Sequence, residues 1–179
     1  MYSNKSTKYK VLSTKYQKGQ TLLEVVVVVA VSVLVVGALV FATIASLRNA
    51  QFANSQARAV ALAQEGQEKI RSIRDRDATG MVLYNYGNGT TSKFSDLYNY
   101  AFGCTAVLGY NCYFYFSTSG ILNSGTVSNL EKVATGFTRQ VQIEDGNLSS
   151  QEKKITVVVY WTDFAGTHSS KLSTLLRKL

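Results

Sequence analysis

Between Glu24 and Arg48 the chain carries no charge. The stretch from Val25 to Leu47 reads VVVVVAVSVLVVGALVFATIASL, and it constrains the fold more than any other feature. At about 1.5 Å per residue, a helix of this length crosses a hydrocarbon core of about 30 Å. Its β-branched content disfavours a helix in water. In lipid the helix still wins, because every backbone N–H and C=O must be paired within the segment. Ser32, Thr43 and Ser46 are expected to bond back onto the preceding turn. Gly37 is the softest point, and with no proline in the chain nothing forces a kink. The run occurs once, which excludes a multi-pass protein. Two plain readings are a signal anchor and a secretory signal peptide cut near Val40-Phe41-Ala42. The second would need an apolar region longer than the usual ~7–15 residues.

Charge is concentrated ahead of this run. The net charge of +8 resembles a nucleic-acid signal until it is mapped. Lys5, Lys8, Lys10, Lys15 and Lys18 lie in the first nineteen residues with no acid among them. Removing those five from 19 basic residues leaves 14 against 11 acids, a residual +3. An acid-free basic stretch before an apolar run holds its segment on the cytoplasmic side. The remainder gives nucleic-acid binding little compositional support. With 11% aromatic residues and a long Val/Leu run, the chain can bury ample apolar surface and is not disordered. Two cysteines do not make a disulfide scaffold, and a lone histidine, His168, argues against a histidine-based metal or hydrolase site.

Immediately before the run stands Lys18-Gly19-Gln20-Thr21-Leu22-Leu23-Glu24. This resembles the class III leader of type IV prepilins and pseudopilins. The resemblance implies cleavage by prepilin peptidase between Gly19 and Gln20 on the cytoplasmic side, then methylation of the new amino terminus on Gln20. The family usually has Phe or Met at that position, so Gln20 departs from its pattern. A glycine before the scissile bond lets the backbone lie extended and accessible. A cut ahead of the apolar run keeps the membrane helix in the product. Glu24 becomes the fifth mature residue, in the first turn of the helix, where the dipole favours a carboxylate. Among packed apolar helices that charge is costly unless paired. The resemblance implies pairing with the ammonium of Gln20 on a neighbouring subunit, which sets axial register. The plainer reading is that Glu24 reaches to the lipid headgroups.

From Arg48 the chain turns polar without a break signal. RNAQFANSQARAVALAQEGQEKIRSIRD is rich in good helix formers. Phe52, Val60, Ala63, Ile70 and Ile73 recur at roughly helical spacing, with Gln56 and Gly66 as interruptions. One helix from about Leu22 to about Asp75, near 80 Å long, is expected, its second half carrying a head on its apolar face. Glu65, Glu68, Lys69, Arg71 and Arg74 read as a solvated face with i,i+4 pairing rather than a binding patch. The segment Leu62-Ala-Gln-Glu-Gly-Gln-Glu-Lys-Ile-Arg is similar to the minor pilins of the type IV pilus modification group. The later WTD, Gly166, His168 and LSTLL are similar to the end of that group.

Residues 76 to about 128 are rich in Tyr, Gly, Asn, Ser and Thr, without a clear period. A long loop region over a sheet is expected there, with Tyr113–Phe116 as a strand. Tyr84, Tyr86, Tyr98 and Tyr100 form either an adhesive surface or lids on the core. Cys104 and Cys112 are eight positions apart. An extracytoplasmic site permits a disulfide between them, contributing about 2–3 kcal/mol; free thiols are the other option, and a metal site lacks further ligands. Phe137, Val141 and Ile143 alternate with Thr138, Gln140, Gln142 and Glu144, which predicts a strand buried on one face. Asp145-Gly146-Asn147 is a turn, Lys153–Trp161 a strand, Asp163–Gly166 a tight turn and Thr167–Leu175 a last strand, an antiparallel meander. His168 reads as a strand residue and not as a base. Glu144 and Asp145 sit at a turn, where solvated charge is the default.

The expected fold is α+β. A long N-terminal helix, its first half transmembrane, packs on a C-terminal antiparallel sheet of three to four strands. The expected organisation is a leader at 1–19, an assembly half at 20–47, an amphipathic half at 48–77 and a head at 78–179. The resemblance implies a structural filament subunit, minor pilin or pseudopilin, without enzymatic activity, cofactor or metal. It is held in the bacterial inner membrane with its N-terminus cytoplasmic, then incorporated into an extracytoplasmic filament. Its implied partners are other pilin subunits, prepilin peptidase, the assembly platform with its ATPase motor, and membrane lipid before assembly. Nucleic acid is the least supported partner. A single-pass anchored binding domain that does not polymerise is the alternative.

Overall fold

The computed structural model describes residues 20–76, 81–85, 88–99, 102–103, 110–146 and 151–178. One α-helix, α1, runs Gln20–Arg76. The chain divides into two compact units, Met1–Arg48 and Asn49–Leu179. In the first unit every residue from 21 to 50 that it contains is exposed. Ser32 Oγ donates to Val28 O at 2.7 Å and Thr43 Oγ1 to Leu39 O at 2.8 Å, so two hydroxyls of the apolar run are satisfied within the helix. The first helical turn contains no acid, because the helix starts at Gln20 and not at Leu22. Glu24 therefore lies just past the first turn. The dipole contribution expected for it is correspondingly reduced.

The second unit contains the rest of α1 and an eight-stranded sheet. Its strands are β1 (Met81–Asn85), β2 (Asn88–Ser92), β5 (Tyr113–Phe116), β6 (Leu122–Gly125), β7 (Glu131–Ala134), β8 (Phe137–Asp145), β9 (Glu152–Asp163) and β10 (Gly166–Arg177). The order is β10-β9-β8-β5-β6-β1-β2, with β7 also paired to β8. A separate pair joins β3 (Phe102–Gly103) to β4 (Tyr110–Asn111). The main sheet is antiparallel except where β1 lies parallel to β6. It is thus twice the expected size. The region read as loop contributes β1, β2 and β6, and a 3-10 helix, Phe94–Asn99, that buries Phe94, Leu97 and Tyr98.

The meander at the end of the chain is as expected. β8 and β9 pair without interruption from Phe137↔Trp161 to Asp145↔Lys153, and β9 and β10 from Gly166↔Asp163 to Arg177↔Glu152. Gly166 takes φ 128°, which only glycine adopts without strain, and this closes the β9–β10 turn.

The buried stripe of α1 differs from the expected one. Ala59, Ala63, Gln67, Ile70 and Ile73 are buried, Val60 stays more than a third exposed, and Phe52, 37% exposed, meets Trp161 and His168 of the sheet. Small residues win because the strands approach the helix closely. A Cβ on Gly66 would lie 3.0 Å from Arg139 Cδ and from Val157 Cγ1. Gly66 is therefore a point of close approach within the stripe, not an interruption of it.

Arg139 is the residue seated there, and its side chain is fully buried. Its Nε and Nη2 make a two-pronged pair with Glu131 on β7 at 2.8 and 2.9 Å. Its Nη1 donates to Leu62 O of α1 at 2.9 Å. A buried guanidinium needs such a full set of partners. One side chain thus ties β8, β7 and α1 together. On the opposite face of β8 one residue is covered as well. Gln140 is buried and shares its Nε2 among the carbonyls of Thr126, Val127 and Asn129 at 3.0–3.3 Å. The face carrying Phe137, Val141 and Ile143 is buried as expected, and on the other face Gln140 is the exception, buried under this loop. Arg139→Ala should destabilise the protein by about 3–5 kcal/mol, because it strands Glu131 and empties the contact with Gly66. Lys132→Ala on the exposed side of β7 should change stability by less than about 0.5 kcal/mol. Urea midpoints of the detergent-solubilised protein measure both.

Candidate functional site

The site indicated by the sequence is the junction of the basic leader with the apolar run. Gly19 and the leader lie outside the described residues. Gln20, on the far side of the Gly19–Gln20 bond, is helical, at the start of α1 as described. Glu24 follows four positions later, in an exposed stretch of helix. Beyond it the valines and leucines from Val25 to Val36 are 52–73% exposed, and Phe41 is 80% exposed. Soluble surfaces do not present an apolar rod of this extent to water. The segment has the length and composition to cross a membrane.

Residues 14–40 match the family model described as the prokaryotic N-terminal methylation motif. The chain thus carries the type IV prepilin-like signature, over the same residues that suggested it. No curated protein and no solved structure matches the chain.

In the head, Cys112 is buried and disulfide-bonded; Cys104 lies outside the described residues. The Cys112 carbonyl accepts from Ile143 N–H at 2.8 Å, fixing the start of β5 against β8. Glu65 pairs with Lys69 at 2.7 Å with both side chains about half exposed, and Glu68 pairs with Arg71. The hydrogen bond from Lys69, opposed by desolvation and aided by Arg139, holds the Glu65 carboxyl below its ordinary range. Glu144 and Asp145 pair with Lys154 and Lys153 across the β8–β9 hairpin. These acids are neutralised by neighbours in the sheet register.

His168 stands opposite Trp161 in the β9–β10 ladder and stacks on it with ring centroids 5.5 Å apart. Phe52 of α1 meets the His168 ring edge-on at 5.1 Å. His168 Nε2 lies 2.9 Å from Asp163 Oδ1, which also accepts from Ala165 N–H at 2.7 Å. Partial desolvation raises the Asp163 carboxyl, but His168 and the turn N–H groups outweigh it and hold the group below its ordinary range. Beside this cluster Gln51, Phe52, Asn54, Ser55, Asp163 and Phe164 line an open groove of about 280 Å³. Sequence reasoning did not find it. It joins one helix turn to a hairpin tip more than a hundred residues away, and no local pattern marks that pairing.

Of the four tyrosines singled out, Tyr98 is buried in the core and donates its hydroxyl to Leu176 O at 3.1 Å. Tyr84 lies in β1, and Tyr86 and Tyr100 lie outside the described residues. Burial pushes the Tyr98 hydroxyl up to about 12, against a lowering influence of Arg74. A phenol with a raised folded pKa stabilises fully below the unfolded value of about 10, and that contribution disappears as pH rises toward the folded value. Stability should therefore fall between pH 10 and about 12. Tyr98→Phe should show a shallower fall over that window, read from urea midpoints at matched pH.

Proposed function

We propose that this protein is a structural subunit of a type IV pilus or a related secretion or DNA-uptake filament, a minor pilin or pseudopilin. The observation that carries the reading is the methylation motif followed at once by an apolar helix that is exposed among the described residues. Prepilin peptidase cuts between Gly19 and Gln20, and the new amino terminus on Gln20 is methylated. The chain waits in the inner membrane, single-pass, with its N-terminus cytoplasmic and its head extracytoplasmic. Assembly moves the apolar segment from lipid into a bundle of like helices from other pilin subunits. The change of neighbours costs little, because both environments are apolar. Extraction itself is uphill, since each buried CH₂ is worth about 0.8 kcal/mol. An assembly platform and its ATPase motor supply the work.

In that bundle Glu24 pairs with the ammonium of Gln20 on the adjacent subunit and fixes axial register. An unpaired carboxylate among apolar helices is strongly disfavoured, so the wrong register is rejected. The head needs no cofactor or metal for this role. A nonpolymerising, membrane-anchored binding domain is the competing reading, and nucleic acid is a ligand only under a DNA-uptake role.

Two variants test the proposal. Gly19→Val should retain the leader and be missing from sheared filaments. Glu24→Ala should be cleaved normally yet enter filaments at least roughly tenfold less, the equivalent of about 1.4 kcal/mol per contact. Normal incorporation of Glu24→Ala contradicts the register pairing. Unaltered distribution of Gly19→Val supports the anchored binding domain.

A further inference from the structure

β10 lies at one end of the main sheet, and among the described residues no strand pairs with its other side. Its 12 residues form an edge of about 40 Å at roughly 3.3 Å per residue. Proteins usually keep such edges short, because a row of unpaired N–H and C=O groups is a template for another chain. The register shows which groups these are. Lys178 N–H donates to Gln151 O at 2.9 Å, one step beyond the Arg177↔Glu152 pair. Bonded and unbonded pairs alternate along an antiparallel ladder, so the even-numbered residues of β10 exchange bonds with β9. The Tyr98 hydroxyl also lands on an even position, at Leu176 O. Thr167, Ser169, Lys171, Ser173, Leu175 and Arg177 direct their N–H and C=O groups away from β9, and all six residues are exposed.

The side chains select the occupant. Gly166–Arg177 carries Lys171 and Arg177 and no acid. Arg177 is held by Glu152 at 2.8 Å. Lys171, midway along the edge, has no carboxylate in ion-pair reach among the described residues. On the other face of β10, Leu172 packs against the core and Leu176 is buried, so that side of an added strand meets apolar neighbours. A second β10 is a poor occupant. Antiparallel pairing of two such edges over nearly their full length sets the two Lys171 side chains opposite or diagonal to each other, and like charges so placed are destabilising. The edge thus repels its own copy and attracts a strand that brings a carboxylate to Lys171.

We infer that β10 accepts an extended, antiparallel strand from a partner chain, amphipathic and acidic, with a carboxylate opposite Lys171 and apolar side chains beside Leu172 and Leu176. Backbone bonds to the six odd positions supply affinity, and the carboxylate selects register and partner. The site lies wholly within the second compact unit. It goes beyond the filament reading and does not depend on the fate of the apolar helix.

Fluorescence anisotropy tests this, with the full detergent-solubilised chain and the dye-labelled peptide Thr-Val-Thr-Val-Glu-Val-Thr-Val-Thr. The same peptide with lysine for glutamate is the charge control. The glutamate probe should bind at least about fivefold tighter than the lysine probe, and Lys171→Glu should reverse that preference. N-methylation of the two threonines nearest the glutamate removes donors to β10 and should weaken binding at least roughly tenfold. N-methylation of the two valines beside the glutamate, whose N–H groups face away, should change it less than about twofold. Equal affinity for the two probes, or indifference to methylation of the threonines, overturns the inference. So does the absence of binding by the glutamate probe at roughly 1 mM. Ser169→Pro removes an outward N–H without touching the bonds to β9. A wild-type dimer in light scattering that this variant splits into monomers assigns the edge to a second copy and overturns the inference too.

Discussion

The structure depends on a stretch of helix whose apolar side chains are left exposed among the described residues. Val25–Leu47 satisfies its backbone internally and two of its hydroxyls by bonding back to the preceding turn. Its side chains are left bare. In water this surface would drive aggregation, so its environment must come from outside the chain. Lipid and a bundle of identical helices are both apolar enough to supply it. On the proposed function, the same sequence serves storage and assembly without refolding.

The head meets a different requirement, because it must hold to a helix that presents mostly small residues. The solution is close approach. Ala59, Ala63 and Gly66 let β8 and β9 approach the helix, and Arg139 fills the contact while pairing with Glu131 and Leu62 O. Apolar packing of Ile70 and Ile73 with Phe114, Val141, Val157 and Leu176 completes one core. Removing one partner of a buried pair of this kind costs more than the pair contributes, because the surviving charge is left desolvated. Arg139 therefore specifies the docking more than it adds to its strength.

The elements that a local pattern defines were legible in the sequence. The apolar run, the polar continuation of α1 and the alternating β8, β9 and β10 with their glycine turns were placed within a few residues. In the region 81–125 the strand Tyr113–Phe116 was placed, but β2 and β6 were not, because NGTTS and LNSG lack any apolar alternation. Those strands exist because the sheet supplies neighbours, including a parallel pairing of Met81 with Leu122 that no hairpin signal announces. On α1 the large residue Val60 drew the stripe one position away from its true line through Ala59 and Gly66. Apolar size is a poor guide where backbone proximity decides. Arg139 was missed for the same reason, since a charge is read as exposed until its partners are known. The cleavage motif was legible because it is local and peptide-like. The groove at Phe52 and Phe164 was not, because it is made by tertiary contact.

The central claim is that the apolar helix survives maturation because the chain is cut ahead of it. Intact mass and N-terminal sequencing of the membrane-extracted protein test this most directly. The account predicts a mature chain that begins at N-methylated Gln20 and retains Val25–Leu47. A mature chain still beginning at Met1, or one beginning near Phe41, would contradict it.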